Sequence, residues 1–190
     1  MPDVTCPPNL DHLVVAARTL EEGGEWVESR LGVAPVPGGK HGTMGTHNRL
    51  LGLGTNVYLE VIAIDPEAAP PARPRWFSLD TPEMQERLEQ GPALIHWVMR
   101  TPSIEEDAER CPDALEILAL SRGPYKWRIG VPPDGHLPCG GRCPTLIQWE
   151  GNMHPAANLP DSGCALVELQ TPGSAPRARI RGPQGDAWLE

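Results

Sequence analysis

Leu10-Asp11-His12-Leu13-Val14-Val15-Ala16-Ala17 and Ala93-Leu94-Ile95-His96-Trp97-Val98-Met99 decide the fold. Each is a short apolar run rich in β-branched residues, which marks a buried strand, and each carries one histidine near its centre. The segments after the two runs also match. Arg18-Thr19 leads into Glu21-Glu22, and Arg100-Thr101 leads through Ser103 into Glu105-Glu106. A capping hydroxyl followed by acids is the start of a helix. The first helix runs to about Leu31 and stops at Gly32. Each half then ends on a strand with a central glutamate and a proline beyond it. These are Leu59-Glu60-Val61 before Pro66, and Val167-Glu168-Leu169 before Pro172.

Between these landmarks, Gly38-Gly39 reads as a turn. His47 to Leu53 alternates as a strand, and Gly54-Thr55-Asn56 is a hairpin turn before the strand Val57 to Ile64. Tyr125 to Val131 and Leu146 to Trp149 supply strands of the second half. The pattern predicts an α+β fold of two β-α-β-β-β units whose curved mixed sheet encloses a cup. The first unit covers 8–66, a connector with a short helix over Thr81–Gln90 covers 67–92, and the second unit covers 93–172. The second contains a Pro/Gly/Cys-rich insertion around Gly123–Pro144. A tail occupies 173–190.

The composition narrows the function. The 190 residues carry a net charge of −9 and no basic block, which excludes a phosphate-binding face for nucleic acid. No apolar run reaches the length of a membrane span. The N-terminus lacks the pattern of a secretory signal, and five cysteines without one are read as reduced thiols in the cytoplasm. Twenty-three prolines imply interrupted elements and shaped loops.

A histidine and a carboxylate inside apolar strands are costly unless paired or bound to a metal. Here the same cost recurs at matching places. If the halves are related by a pseudo-twofold axis, His12, Glu60, His96 and Glu168 meet in the cup, a donor set competent for a divalent metal. Glu150, after Leu146-Ile147-Gln148-Trp149, rivals Glu168 for the last-strand position. Taken singly, each histidine reads better as a hydrogen-bonded core residue; the matched placement of the two reverses that in favour of metal binding.

The duplicated unit, Leu10–Val15, Gly45-Thr46-His47-Asn48-Arg49-Leu50, Tyr58–Ala63 and Leu94–Trp97 together resemble the vicinal oxygen chelate superfamily, and within it the glyoxalase-like domains, over roughly residues 8–172. The resemblance implies metal ligands at His12, Glu60, His96 and Glu168, with Zn, Ni, Co, Mn or Fe as the divalent ion. It also implies a small-molecule substrate held through two neighbouring oxygens, and Glu168 or Glu60 as the proton-moving base. The implied activity is a lyase, isomerase or epimerase acting on a small carbonyl or hydroxy-acid compound. A glutamate at the Glu60 position favours this over a ring-cleaving dioxygenase. Similar proteins are commonly dimers, and some keep the cup as a metal-free binding or resistance site.

Substrate contacts are assigned to His47, Arg49, Trp97, Gln148 and His154. His47 and Arg49 alternate with Leu51 on one strand face, and Arg49 is suited to grip a carboxylate bidentately. Plain sheet-surface roles compete with both. His136, Cys139 and Cys143 form a cluster that would need a further cysteine to hold zinc.

Overall fold

The computed structural model describes residues 7, 9–171 and 175–190. Cys6, Pro172 and the 172/173 boundary between unit and tail lie outside the described residues. The first unit comprises β1 (Leu10–Ala16), α1 (Leu20–Leu31), β2 (Val36–His41), β3 (Thr46–Gly52) and β4 (Tyr58–Ile64). A connector helix, α2 (Pro82–Glu89), precedes the second unit. That unit comprises β5 (Ala93–Arg100), α3 (Ile104–Glu109), β6 (Glu116–Arg122), β7 (Tyr125–Val131) and β8 (Thr145–Trp149).

The strands form one curled, half-barrel sheet in the order β2-β3-β4-β1-β5-β8-β7-β6. The order reads the same from both ends. In each unit the first strand pairs in parallel with the last, and β1 meets β5 antiparallel at the centre. This is the α+β fold of two β-α-β-β-β units expected from the repeated pattern.

Local chemistry accounts for the elements. The Thr19 hydroxyl accepts the Glu22 N–H at the start of α1, and Gly32 ends the helix at φ 75°. The Thr81 hydroxyl caps α2 in the same way, whereas Ser103 makes no side-chain cap on α3. α1 packs Val27 and Leu31 with Leu13, Val15, Val61 and Trp97 on the outer face of the sheet. The inner face carries Val14, Ile62, Val98, Ile129 and Ile147 with Trp76, Phe77 and Trp127.

Gly23 sets how closely α1 approaches the sheet. A Cβ there would lie 2.4 Å from Val61 Cγ1 and 2.9 Å from the Ala17 methyl. Alanine is the better helix former, but overpacking outweighs that gain. Gly23→Ala is expected to destabilise the protein by about 1–3 kcal/mol, read as a lower urea midpoint. An unchanged or higher midpoint would show that the helix simply shifts outward.

Three expectations need correction. Gly38 and Gly39 are not a turn but lie within β2, an edge strand with a break in its register between Pro37 and Lys40. The second unit closes at β8 rather than at Cys164–Gln170. The sheet needs its fourth strand beside β5, and β8 fills that place. The segment after it forms a separate sheet, β9 (Ala165–Gln170), β10 (Arg177–Gly182) and β11 (Gly185–Leu189), in the order β11-β10-β9. Leu166, Leu169, Ala178, Ile180 and Leu189 of this second sheet join the core that includes α1. The described part of the tail is therefore built structure. The reading of all cysteines as thiols is corrected at one pair, since Cys139 and Cys143 form a disulfide with Cα atoms 5.4 Å apart, while Cys111 and Cys164 are free.

Candidate active site

β1 and β4 deliver the first two functional groups to the concave face. His12 lies opposite Tyr58 in the ladder, and Val14 lies opposite Glu60. His12 Nε2 faces Glu60 Oε2 at 3.6 Å, and both side chains are buried. Tyr58 stacks on the His12 ring at 4.6 Å between centroids.

The β1–β5 ladder slips between Leu10 and His12. Such a bulge interrupts the strict alternation of faces, and it accompanies an Asp11 carboxylate set beside the neighbouring imidazole. Asp11 Oδ1 is 2.7 Å from His12 Nδ1. The other oxygen, Oδ2, accepts from Arg100 Nε at 2.9 Å, from Trp149 Nε1 at 2.9 Å and from His154 Nε2 at 3.1 Å. Asp11 has no exposed surface. Burial by itself would raise its carboxyl, but hydrogen bonds from His12 and His154, and their charges, hold it well below the usual carboxylate range. The ionised Asp11 fixes a proton on His12 Nδ1 and leaves Nε2 as the edge that faces Glu60.

Glu60 is held from its other side. Its Oε1 accepts from Asn48 Nδ2 at 2.6 Å. Asn48 Oδ1 in turn accepts from the Gly39 N–H and from Arg122 Nη1, both at 2.9 Å. The amide orientation follows from that pattern, because a backbone N–H must meet an oxygen. His41 completes the cluster. Its Nδ1 is 3.0 Å from the Thr46 hydroxyl, and its Nε2 is 3.3 Å from Arg122 Nη1. Burial lowers the His41 pKa to about 4; Glu60 opposes this, and Arg122, His12 and His47 add to it. His41 is therefore a neutral acceptor at neutral pH.

These groups line a narrow cavity of about 30 Å³ whose walls include Trp76, Phe77, Trp127 and Trp149. Phe77 reaches it from a backbone with φ 58°, in the left-handed region that aromatic residues rarely adopt. Ser78 helps hold that turn, with its N–H on the Gly135 carbonyl and its hydroxyl accepting from Leu137 N–H.

Of the expected metal ligands, His12 and Glu60 meet in the cup. His96 sits on the matching strand, fully buried, but its Nε2 accepts the Thr145 N–H at 3.0 Å and lies 3.1 Å from the Thr145 hydroxyl. Burial lowers its pKa to about 3, with His12 adding to the effect. The ladder shows why the fourth ligand is missing. Glu60 lies opposite Val14, two residues beyond His12, and Thr145 lies opposite Val98, two residues beyond His96. Thr145 is thus the pseudo-symmetry mate of Glu60, a hydroxyl in place of a carboxylate. Glu168 is in the second sheet, bound to Gln170 and Arg179, and Glu150 is exposed beyond the end of β8. Among the described residues no three His, Cys, Asp or Glu side chains are grouped to hold a metal. The residues present do not fit the four-donor ion, and the His136–Cys139–Cys143 zinc cluster is not formed. His136 instead pairs with Asp134.

The expected substrate contacts lie elsewhere. β3 is one residue out of phase with its anticipated facing, which turns every side chain over. Asn48, not His47 or Arg49, reaches the cup. Arg49 pairs with Glu21 of α1, and His47 lies 4.0 Å from Asp65. Trp97 belongs to the outer core with α1. Gln148 bonds Arg128, the Pro102 carbonyl and the Ile104 N–H. His154 stands behind the cup on Asp11 and lines a separate open groove with Arg100 and Trp149. Sequence reading missed Asp11, His41, Asn48 and Arg122. Asp11 and Asn48 stand inside the motifs that carry the family resemblance, and the buried-carboxylate argument applied to Glu60 holds equally for Asp11.

The chain belongs to the glyoxalase-like domain family, which it matches over residues 10–181. Its fold is similar to that of methylmalonyl-CoA epimerase from Mycobacterium tuberculosis, at 18% identity and TM-score 0.47, covering 76% of this chain and 89% of that one. Methylmalonyl-CoA epimerase in complex with methylmalonyl-CoA and NH4+ is similar at 15% identity and TM-score 0.49, covering 77% and 98%. A hypothetical protein from Bacillus halodurans is similar at 15% identity and TM-score 0.47, covering 78% and 98%. No curated protein matches the chain.

Proposed function

We propose that this protein is an isomerase or epimerase of the vicinal oxygen chelate type, moving a proton at a carbon beside a carbonyl in a small compound. The observation that carries this reading is the chain of contacts Asp11–His12–Glu60 at the floor of an aromatic-walled cavity. Two groups able to accept and return a proton stand side by side, one oriented by a buried carboxylate and the other by Asn48. A substrate carbon lodged against them can lose a proton to one and regain it from the other on the same face, which exchanges the hydrogen or, at a neighbouring carbon, shifts the double bond; the centre inverts when the planar intermediate turns its other face to the pair before the proton returns. The divalent ion implied by the family resemblance finds two of its four expected donors here, His12 and Glu60.

The test is exchange of the α-hydrogen in D2O, followed by proton NMR over a panel of small 2-oxo and 2-methyl carboxylic acids. His12→Gln should slow exchange of any responsive compound by about 10²–10⁴-fold, the usual contribution of a positioned acid–base group, with a melt to confirm that the variant, which loses the bond to Asp11, is folded at the assay temperature. Full exchange in that variant would end this assignment of His12. Tight binding without exchange in the wild type would instead mark a sequestering protein that uses the same cup. Elemental analysis of the wild type and His96→Ala checks the metal separately. One equivalent that disappears in the variant would restore a site including His96.

A further inference from the structure

Arg122 is the one positively charged side chain in the lining of the cavity, and it has no acidic partner. Its hydrogen bonds go to two neutral groups, Asn48 Oδ1 at 2.9 Å and His41 Nε2 at 3.3 Å. Among the described residues no carboxylate forms an ion pair with it, although the chain carries 25 acids against 16 Lys and Arg. Three other arginines of the second unit find acids, with Arg100 on Asp11, Arg110 on Asp107 and Arg128 on Glu105, while Arg142 bonds the Cys139 carbonyl. A half-buried guanidinium left with neutral partners has capacity for an anion.

The fold makes room for this arginine. It sits at the end of β6, on the far half of the sheet, and crosses the cup to reach β2 and β3. Gly38 and Gly39 lie in its path. A Cβ on Gly39 would stand 2.6 Å from Arg122 Cδ, and one on Gly38 would stand 2.1 Å from Asn48 Oδ1. Any side chain at either position would push the guanidinium or its amide partner aside.

Arg122 also marks where two hollows meet. Besides the cup, it lines a groove of about 330 Å³ that includes Val36, Pro37, Leu50, Tyr125, Pro155 and Leu159. That groove is mostly apolar and open to solvent, while the cup ends in the acid–base pair.

We infer that Arg122 receives the carboxylate of an amphipathic substrate, a 2-oxo or 2-substituted carboxylic acid with an apolar tail. The carbon that carries the exchangeable hydrogen, C3 beside the ketone of a 2-oxo acid or C2 of a 2-substituted acid, enters the cup toward His12 and Glu60, and the tail lies in the Pro37–Leu159 groove. A planar guanidinium matches a carboxylate with two parallel hydrogen bonds, which a lysine cannot supply. This names the substrate class for the function proposed above and rests on that reading for the chemistry. The binding claim can fail or stand independently of turnover.

The experiment is equilibrium binding by isothermal titration with 2-oxobutanoate, 2-oxooctanoate and the methyl ester of 2-oxooctanoate. The acid should bind more tightly than its ester, and 2-oxooctanoate more tightly than 2-oxobutanoate. Arg122→Gln should weaken the acid by about 10- to 100-fold, the worth of a charge-assisted pair, and leave the ester unchanged. Arg122→Lys should recover only part of the loss. Leu159→Ser should shrink the gain from chain length while preserving the preference for acid over ester. Thermal melts confirm that each variant is folded, and Arg122→Lys serves if Arg122→Gln is not. Equal affinity for acid and ester, absence of binding by either acid at millimolar concentration, or full affinity in both Arg122 variants would overturn the inference. Acid binding that needs Arg122 but gives no α-hydrogen exchange would uphold it and overturn the proton-transfer reading instead.

Discussion

Asp11→Asn should cost this protein both its fold stability and its activity. The substitution keeps the shape, so the damage is electrical and directional. The wild-type carboxylate accepts from His12 on one oxygen and from Arg100, Trp149 and His154 on the other. An asparagine has one oxygen and one NH2 group. Placing the oxygen toward the three donors turns the NH2 against His12, and the reverse sets it against Arg100, Trp149 and His154. Loss of one partner from a buried charged network typically costs about 3–5 kcal/mol. For a chain of this length that is a fall in Tm of about 6–20 °C. Activity should fall as well, by about 10²-fold or more, because His12 loses the group that fixes its tautomer. The discriminating measurement pairs a melt with a pH–rate profile. A stable variant with a wild-type profile would mean that Asp11 is only a strut between β1, β5 and the loop carrying His154.

Acid should unfold the protein well above the usual carboxylate range, and two histidines are the reason. Burial holds His41 at a pKa of about 4 and His96 at about 3, against about 6.5 in an unfolded chain. Above pH 6.5 both residues are neutral in both states, and neither contributes a pH dependence. Below it the unfolded chain binds two protons that the native state refuses. Stability then falls as pH falls, by up to about 1.4 kcal/mol per pH unit for each histidine. At pH 4.5 the pair should have removed roughly 4–5 kcal/mol, comparable with the whole stability of many domains. Asp11 acts in the same direction further down. Its native carboxyl resists protonation, so the stability it contributes above about pH 4 drains away as the unfolded chain takes up its proton. Urea titrations at pH 7.5, 6.0 and 5.0 read the slope directly. His96→Gln keeps an acceptor for the Thr145 N–H and should remove about half of the histidine-dependent slope. A slope unchanged in that variant would assign the acid sensitivity to other groups.

The repeated pattern made the fold legible, because two apolar strands with a histidine at their centres, each followed by the same capping signal, admit few other arrangements. His12 and Glu60 were legible for a related reason, since burying either without a partner is too costly to be accidental. The other half of the site was not legible. The last strand of the second unit had two rivals in sequence, Thr145–Trp149 and Ala165–Gln170, and the one with a central glutamate looked like the better repeat. Only the ladder decides, because a strand belongs to the sheet through backbone bonds that carry no sequence signature. The misreading of β3 has the same root. Its alternation was clear, but which parity faced inward depended on its pairing with β4, where Asn48 is set two residues along from Leu50, the residue opposite Glu60. Arg122 was invisible for a further reason: it acts across the cup from the opposite unit, 74 positions from Asn48.

The antiparallel ladder between β1 and β5 joins the halves by main-chain hydrogen bonds at the middle of the sheet. The covalent connection between them runs instead through the proline-rich stretch after Asp65 and the helix α2. The thread and the seam are therefore different parts of the molecule. A single peptide cleavage in that stretch would not by itself part the two pieces, since each would present to the other the unpaired edge of its innermost strand.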